Sequence, residues 1–558
     1  KREATVILLQ FVAVCSLLSM VCATTPELPA GETIGQWVWF GKAVLVSTGC
    51  ITASCLLQLL GKASWTDILC FRNFFVHVAW SLVLLGAIEA VWGLRQLYGF
   101  SVSGHSRYAL TGSFFNPGPY GGYLAMILPV CLHLYLRACE WKSTDVLHKI
   151  EKVTLGRSAG LAGILILCVL PATMSRSAWI AVAISCAWVA YMHRDRRKWS
   201  VLWRRYKKRY LTWGVVGLFV LILGGAGIFF LKPDSAMGRL FMWKITCKAI
   251  VEHPWGCREG FVYAYGEAQE KYFGSGDYAV WEERVAGSPE YAFNEYLELA
   301  LTAGVMLGVM FFSTIGAGLW LGTKWGRYEI CGALISLLVF SFSSYPMHFP
   351  VFMVTGICLL FACGAGDVGG KFLICGTCAL IWTVGLNGKW QREEDACRDW
   401  VYARMLYHQG NYTAANEAYH KLYPQLDERG EFLFEYGHSL YKSGRYDLSN
   451  SFLEQAALYS TDPMILNIIG KNYQEMQYYE KAETYYWASV HRLPGRIYPY
   501  YLLAKLYAEP GYRNREKFEK MQRIVLTKEP KVYSTAIREM RSEVEKIGDD
   551  WCKTKIDR

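Results

Sequence analysis

A few polar side chains stand between long apolar runs and are equipped to handle an anionic substrate. Arg176 lies in MSRSAW (Met174–Trp179), and Arg239 heads RLFMWKITCKAI. His253 and Arg258 fall in HPWGCREG (His253–Gly260), and Glu290, Asn294 and Glu295 fall in EYAFNE. Asn116 belongs to GSFFNPGPYGGYLAM (Gly112–Met126). Arginine suits a phosphate because its planar fork donates parallel hydrogen bonds and keeps its charge. Two such residues near a membrane surface point to an anionic lipid headgroup, a pyrophosphate among the candidates. Each residue also has a plainer role. Arg176 can anchor a helix end beside the interfacial Trp179, although arginine in a membrane segment is costly and usually functional or snorkelling. Asn116-Pro117 can be a helix-starting turn, and the glutamates can be solvated faces.

These residues need elements to hold them. The chain has 558 residues, of which 53% are hydrophobic and 19% charged. That average covers two populations, an apolar series up to about Asn387 and a polar, Tyr-rich stretch from Lys389. A bilayer core takes roughly 20 apolar residues per helix. About eleven spans are expected by that rule, at 4–23, 36–60, 74–94, 119–137, 158–174, 178–192, 211–231, 297–320, 329–343, 349–365 and 371–387. The first could instead be a signal sequence behind Lys1-Arg2, but its length and the spans that follow favour an uncleaved helix. The predicted architecture is an all-α polytopic membrane bundle over 1–388, with a large outer loop at 232–296, followed by a helical-repeat soluble domain over 389–558. The outer loop has too many aromatics for disorder and reads as the lid and wall of a membrane site. Within it Arg239 begins an amphipathic helix, His253–Gly260 is a turn, and Phe293–Gly304 leads into the next span.

Charge sets the orientation. The net charge of +11 does not point to nucleic acid, because nine Lys and Arg crowd into Arg194–Arg209 between two apolar spans. Lys62, Arg72, Arg137, Lys142, Lys149, Lys152, Arg157, Lys324 and Arg327 fall in the other even connections. The positive-inside rule therefore puts the even connections and the N-terminus in the cytoplasm. Connections 24–35, 95–118, 175–177, 232–296 and 344–348 then face outward, and so does the tail. Most of the 18 cysteines lie in apolar spans. Cys375 and Cys378 read as small apolar residues, and Cys247 and Cys257 are a candidate pair in an oxidising compartment.

The tail carries an internal repeat. GNYTAANEAY (Gly410–Tyr419), GRYDLSNSF (Gly444–Phe452) and QYYEKAETYY (Gln477–Tyr486) recur at 34 and 33 residues, with small residues at Ala415, Ser449 and Ala482. Pro463 and Pro494 close two units, and a degenerate fourth spans 498–530. This pattern resembles the tetratricopeptide repeat. Such arrays present a concave surface, which implies a protein partner on the repeats.

Four motifs in order reach a family. GSFFNPGPYGGYLA, SRSAWIA, RLFMWKITCKAIVEHPWGCREGF and FNEYLELALTAGVMLGVM resemble the elements of the bacterial O-antigen ligase and polymerase superfamily, over roughly residues 80–365. Members with a tetratricopeptide tail occur. The resemblance implies a multi-pass inner-membrane glycosyltransferase with a periplasmic tail. It would pass a glycan from undecaprenyl pyrophosphate to an acceptor hydroxyl on a lipid, glycan or protein, with no cofactor or metal. Arg176 and Arg239 carry over as the phosphate-binding residues that neutralise charge on the leaving group. Asn116, His253, Arg258 and Asn294 are candidates for binding substrate. Ligases of the family have His-Asn where this chain has Phe293-Asn294. Phe293 is therefore expected to be a packing residue, and the base role passes to Glu295, then Glu290, or His253. The rival readings are a polysaccharide polymerase with the same donor, a transporter of lipid-linked sugars, and a membrane-anchored scaffold. A transporter is disfavoured because ionisable residues crowd the outer surface and no two halves of the chain match.

Overall fold

Backbone in hydrocarbon finds no water to bond, so an apolar run must satisfy its own N–H and C=O groups as a helix. The computed structural model describes residues 2–23, 28–29, 31–60, 74–139, 146–194, 233–364 and 369–556, and every regular element among them is helical. The apolar series forms α1 (Arg2–Leu18), α2 (Gly31–Leu59), α3 (Phe74–Leu97), α4 (Pro117–Cys139), α5 (Val146–Val169) and α6 (Arg176–His193). The outer loop supplies α7 (Pro233–Glu252), α8 (Phe261–Gly274) and α9 (Val280–Val285). Then come α10 (Glu295–Thr302), α11 (Val305–Lys324), α12 (Tyr328–Ser341), α13 (Pro350–Gly364) and α14 (Gly369–His408).

Six of the described helices are long and apolar enough to cross a membrane, and α12 and α13 are shorter apolar helices. The expected span at 211–231 lies outside the described residues, as does the basic stretch beyond Arg194. The span expected at 297–320 is corrected. It is two helices, α10 and α11, broken at Ala303-Gly304.

The chain forms two compact units. One contains residues 1–230, 293–295 and 309–397, and the other contains 231–292, 296–308 and 398–558. The outer loop thus packs with the tail.

In the first unit the core is built on α4, which packs against α3, α5, α6 and α12. Tyr120, Tyr123, Leu124, Met126, Ile127 and Val130 are fully buried. Small residues let neighbours close in. A Cβ on Gly86 would meet Ile127 at 2.9 Å, and one on Gly122 would meet the Phe340 ring at 2.3 Å. Pro129 has no N–H to give the carbonyl of Ala125, one turn earlier. Ser336 of α12 donates its hydroxyl to that carbonyl at 2.8 Å, so the orphaned acceptor is paired.

In the second unit the tail forms α15 (Tyr412–Leu426), α16 (Gly430–Lys442), α17 (Tyr446–Tyr459), α18 (Pro463–Glu475), α19 (Tyr479–Arg492), α20 (Tyr498–Ala508), α21 (Arg515–Thr527) and α22 (Thr535–Ile556). Each packs on its sequence neighbour from α15 to α22. Ala415, Ser449 and Ala482 are fully buried between helices. Gly437 and Gly470 make room across the hairpins, since a Cβ would meet Leu453 at 2.7 Å and the Tyr486 ring at 2.4 Å. Pro463 opens a helix instead of closing a unit. It is the first residue of α18, and the Asp462 carboxylate accepts the Met464 N–H at 2.9 Å. Proline suits that position, where its missing N–H has no helical partner to lose.

Candidate active site

In the first unit the GSFFNP segment is fixed from below by two polar residues of α3. Gln96 accepts the N–H groups of Thr111 (2.9 Å) and Gly112 (2.8 Å) and donates to the Gly112 carbonyl (2.9 Å). Glu89, fully buried, accepts the Ser113 N–H at 3.1 Å, while its backbone carbonyl takes the Tyr120 hydroxyl at 2.8 Å. Gly112 has a φ of 58°, and a Cβ there would strike the Tyr120 ring at 2.2 Å. The segment therefore delivers Asn116 to the start of α4, where its side-chain oxygen accepts the Gly118 N–H at 3.0 Å.

Arg176 is the first residue of α6 and is half-buried. It follows a turn in which Met174 takes a φ of 51°. Left-handed backbone at a non-glycine residue is strained and persists only where surrounding contacts fix it. Those contacts are the α4 glycine Gly121, whose Cβ would lie 2.9 Å from the Thr173 hydroxyl, and the 2.7 Å bond between the Ser177 and Ser343 hydroxyls. The Trp179 indole donates to the Leu170 carbonyl at 3.1 Å, which gives that residue a structural task.

Ser343 lies in the connection from α12 to α13, and this segment gathers the remaining candidates of the unit. Phe293, the second strained position with a φ of 50°, sets its ring edge-on to Tyr345 at 4.9 Å. Glu295 accepts the Met347 N–H at 2.7 Å, inside the short turn Pro346–His348. Tyr345 in turn lies 6.5 Å from the His348 ring, centroid to centroid. Phe293 is half-buried in this ring contact, and Asn294 beside it is buried. His348 stands out little in the sequence, where it is a lone histidine between two apolar runs.

In the second unit Arg239 is half-buried on α7. One turn on, the Trp243 indole donates to the Ala292 carbonyl at 3.1 Å, and the buried carboxylate of Glu298 accepts the Ala292 N–H at 2.8 Å. Both sides of residue 292 are held, which fixes the chain just before Phe293-Asn294. The HPWG turn explains the helix break. The Cys257 N–H bonds the Leu301 carbonyl at 2.8 Å, and the Val305 N–H bonds the Pro254 carbonyl at 3.2 Å. Gly256 (φ 102°) and Gly304 (φ 91°) meet face to face, and a Cβ on either would come within 2.7 Å of the opposing backbone. His253 is half-buried, while Arg258 and Glu290 are exposed.

The loop has its own electrostatic brace. Lys244 reaches Glu282 at 2.6 Å, and the Tyr272 hydroxyl and Ala279 N–H bond the same carboxylate at 2.7 and 2.9 Å. Burial pushes the Glu282 carboxyl up, but these three bonds together outweigh it and hold the group below the usual range. Cys247 and Cys257 are not paired. Both are free thiols, Cys247 exposed and Cys257 buried, with the Cys257 thiol donating to Glu259 at 3.4 Å.

Residues 161–312 match the O-antigen ligase family. The matched stretch holds Arg176, Arg239, His253, Arg258, Glu290, Asn294 and Glu295; Asn116 and the tail lie outside it. It supports the ligase and polymerase superfamily and a glycosyltransferase-like activity in a membrane protein. No curated protein and no solved structure matches the chain.

Proposed function

We propose that the protein is an inner-membrane glycosyltransferase that moves a glycan from undecaprenyl pyrophosphate to an acceptor hydroxyl on the periplasmic side. The observation that carries this reading is the family match over 161–312 together with the strained, cross-braced turn that presents Arg176. Arg176 and Arg239 are the cations that take the pyrophosphate. As the glycosidic carbon–oxygen bond breaks, the electron pair stays on the phosphate oxygen, and fixed guanidinium donors stabilise that charge better than water can. Asn116, Asn294, His253 and Arg258 are proposed to bind substrate.

The acceptor hydroxyl loses its proton as the new bond forms. Glu295 has one oxygen committed to the Met347 N–H, which makes it the group that fixes the turn carrying His348. We place His348 as the proton acceptor and Glu295 as the residue that positions it. Imidazole suits a general base at neutral pH. Exposed Glu290 is the weaker alternative. A polymerase would use the same donor, and Phe293 in the position of the ligase histidine leaves the acceptor open.

The glycan left on its carrier after gene deletion tests the reading. Full-length chains on undecaprenyl pyrophosphate mark a ligase, and single repeat units mark a polymerase. No accumulation of either would overturn both.

A further inference from the structure

The repeats lead one to expect a second protein on their surface. In the structure part of the array's surface is taken by the chain's own outer loop, for α8 packs on α17 and α19. Gln269, fully buried, donates to the Arg492 carbonyl at 2.6 Å and to the Gly287 carbonyl at 3.2 Å. The Arg492 guanidinium, 11% exposed, bonds Glu270 at 3.0 Å. It fits there because Gly266 has no side chain; a Cβ would lie 2.8 Å from it. Lys528 pairs with Glu283, and the Thr461 hydroxyl donates to the Pro289 carbonyl at 3.4 Å. Leu493, from the turn after α19, is buried inside the loop's own core with Phe241, Phe261, Tyr265 and Phe273.

These contacts combine apolar burial, charge-assisted bonds and bonds to backbone. The coupling continues past α8. Phe273 packs on Phe241 of α7 at 5.5 Å, and Lys244 of α7 joins Tyr272 and Glu282. Arg239 sits on the same helix. We infer that the repeat array is an intramolecular clamp whose ligand is the outer loop, and that it sets the helix bearing Arg239, so that transfer depends on the tail in cis. The dependence of transfer rests on the function proposed above; the clamp itself does not.

Charge reversal in the full-length chain separates the two. Glu270→Arg faces Arg492 with a like charge, Arg492→Glu does the same from the other side, and the double variant restores an opposite pair. Glu283→Lys, Lys528→Glu and their double variant repeat the test at a second contact. Two readouts are taken in membranes: glycan transfer, and the rate of protease cleavage within the loop. Each single reversal is expected to lower transfer and speed cleavage, by about tenfold or more, and each double variant to recover most of both, as contacting residues do in a double-mutant cycle. Unchanged cleavage in every single variant would overturn the clamp. Faster cleavage with unchanged transfer would overturn the dependence of transfer on it. If the unaltered protein transfers no glycan, the proposed function fails, and the cleavage rates alone decide the clamp.

Discussion

Arg176 and Arg239 are ordinary residues made specific by what holds them: one follows a strained turn, the other rides a helix braced through Trp243. Replacing either with Ala should cost about 1.5–3 kcal/mol for each charge-assisted bond lost, roughly ten- to hundredfold in rate. Lysine should not restore it, because an ammonium cannot reproduce a bidentate fork. Protein level should hold, as an immunoblot can check. His348→Ala should lower turnover by about 10²–10⁴-fold, the usual share of a general base, with binding of the lipid donor unchanged. Glu295→Gln should lose less, because the amide oxygen can still accept the Met347 N–H. Equal turnover in wild type and His348→Ala would remove His348 from the chemistry. The arginines were legible because their types and motif context stand out in apolar sequence. Glu89 and Gln96 were not singled out, although a carboxylate in the apolar run AIEAVW was a visible signal. Their task is to grip residues 111–113, and a contact made on folding leaves no local pattern.

At the level of elements, spans and repeats were read from periodicity, and the described helices follow most of those boundaries. The failure at 297–320 is instructive. Hydropathy averages across Ala303-Gly304, but the HPWG turn bonds there and forces left-handed backbone on Gly304. Gly304→Ala should therefore destabilise the loop by about 1–3 kcal/mol, seen as a lower thermal midpoint in detergent. The Glu282 brace makes a second prediction. Its carboxyl is depressed in the folded loop, so its stabilisation is complete above the ordinary value of 4.5 and is lost as pH falls through the lower folded-state value. Protease cleavage of the loop should accelerate on acidification below that range, and Glu282→Gln should flatten the dependence while raising cleavage at neutral pH.

For the whole molecule, the sequence shows a membrane part and a polar tail but hides how the tail is used. Gln269 and Arg492 are 223 positions apart, and no repeat pattern announces that the loop packs on the tail. Their packing into a single unit requires loop and tail to share one side of the membrane, and we propose from loop parity that this side is the periplasm. A phosphatase fused at the C-terminus should be active, whereas a cytoplasmic reporter lighting up in its place would overturn the orientation and with it the proposed chemistry.

The donor is the centre of the proposal. The direct measurement supplies membranes of a gene-deleted strain with labelled glycan on undecaprenyl pyrophosphate, adds back wild type, Arg176→Lys or Arg239→Lys, and follows label leaving the carrier. Wild type should move the label to an acceptor and free undecaprenyl pyrophosphate, with no nucleotide sugar added, and both lysine variants should leave it on the carrier. Label that stays on the carrier with wild type, or moves equally well with the lysine variants, would contradict transfer from a pyrophosphate held by these two arginines.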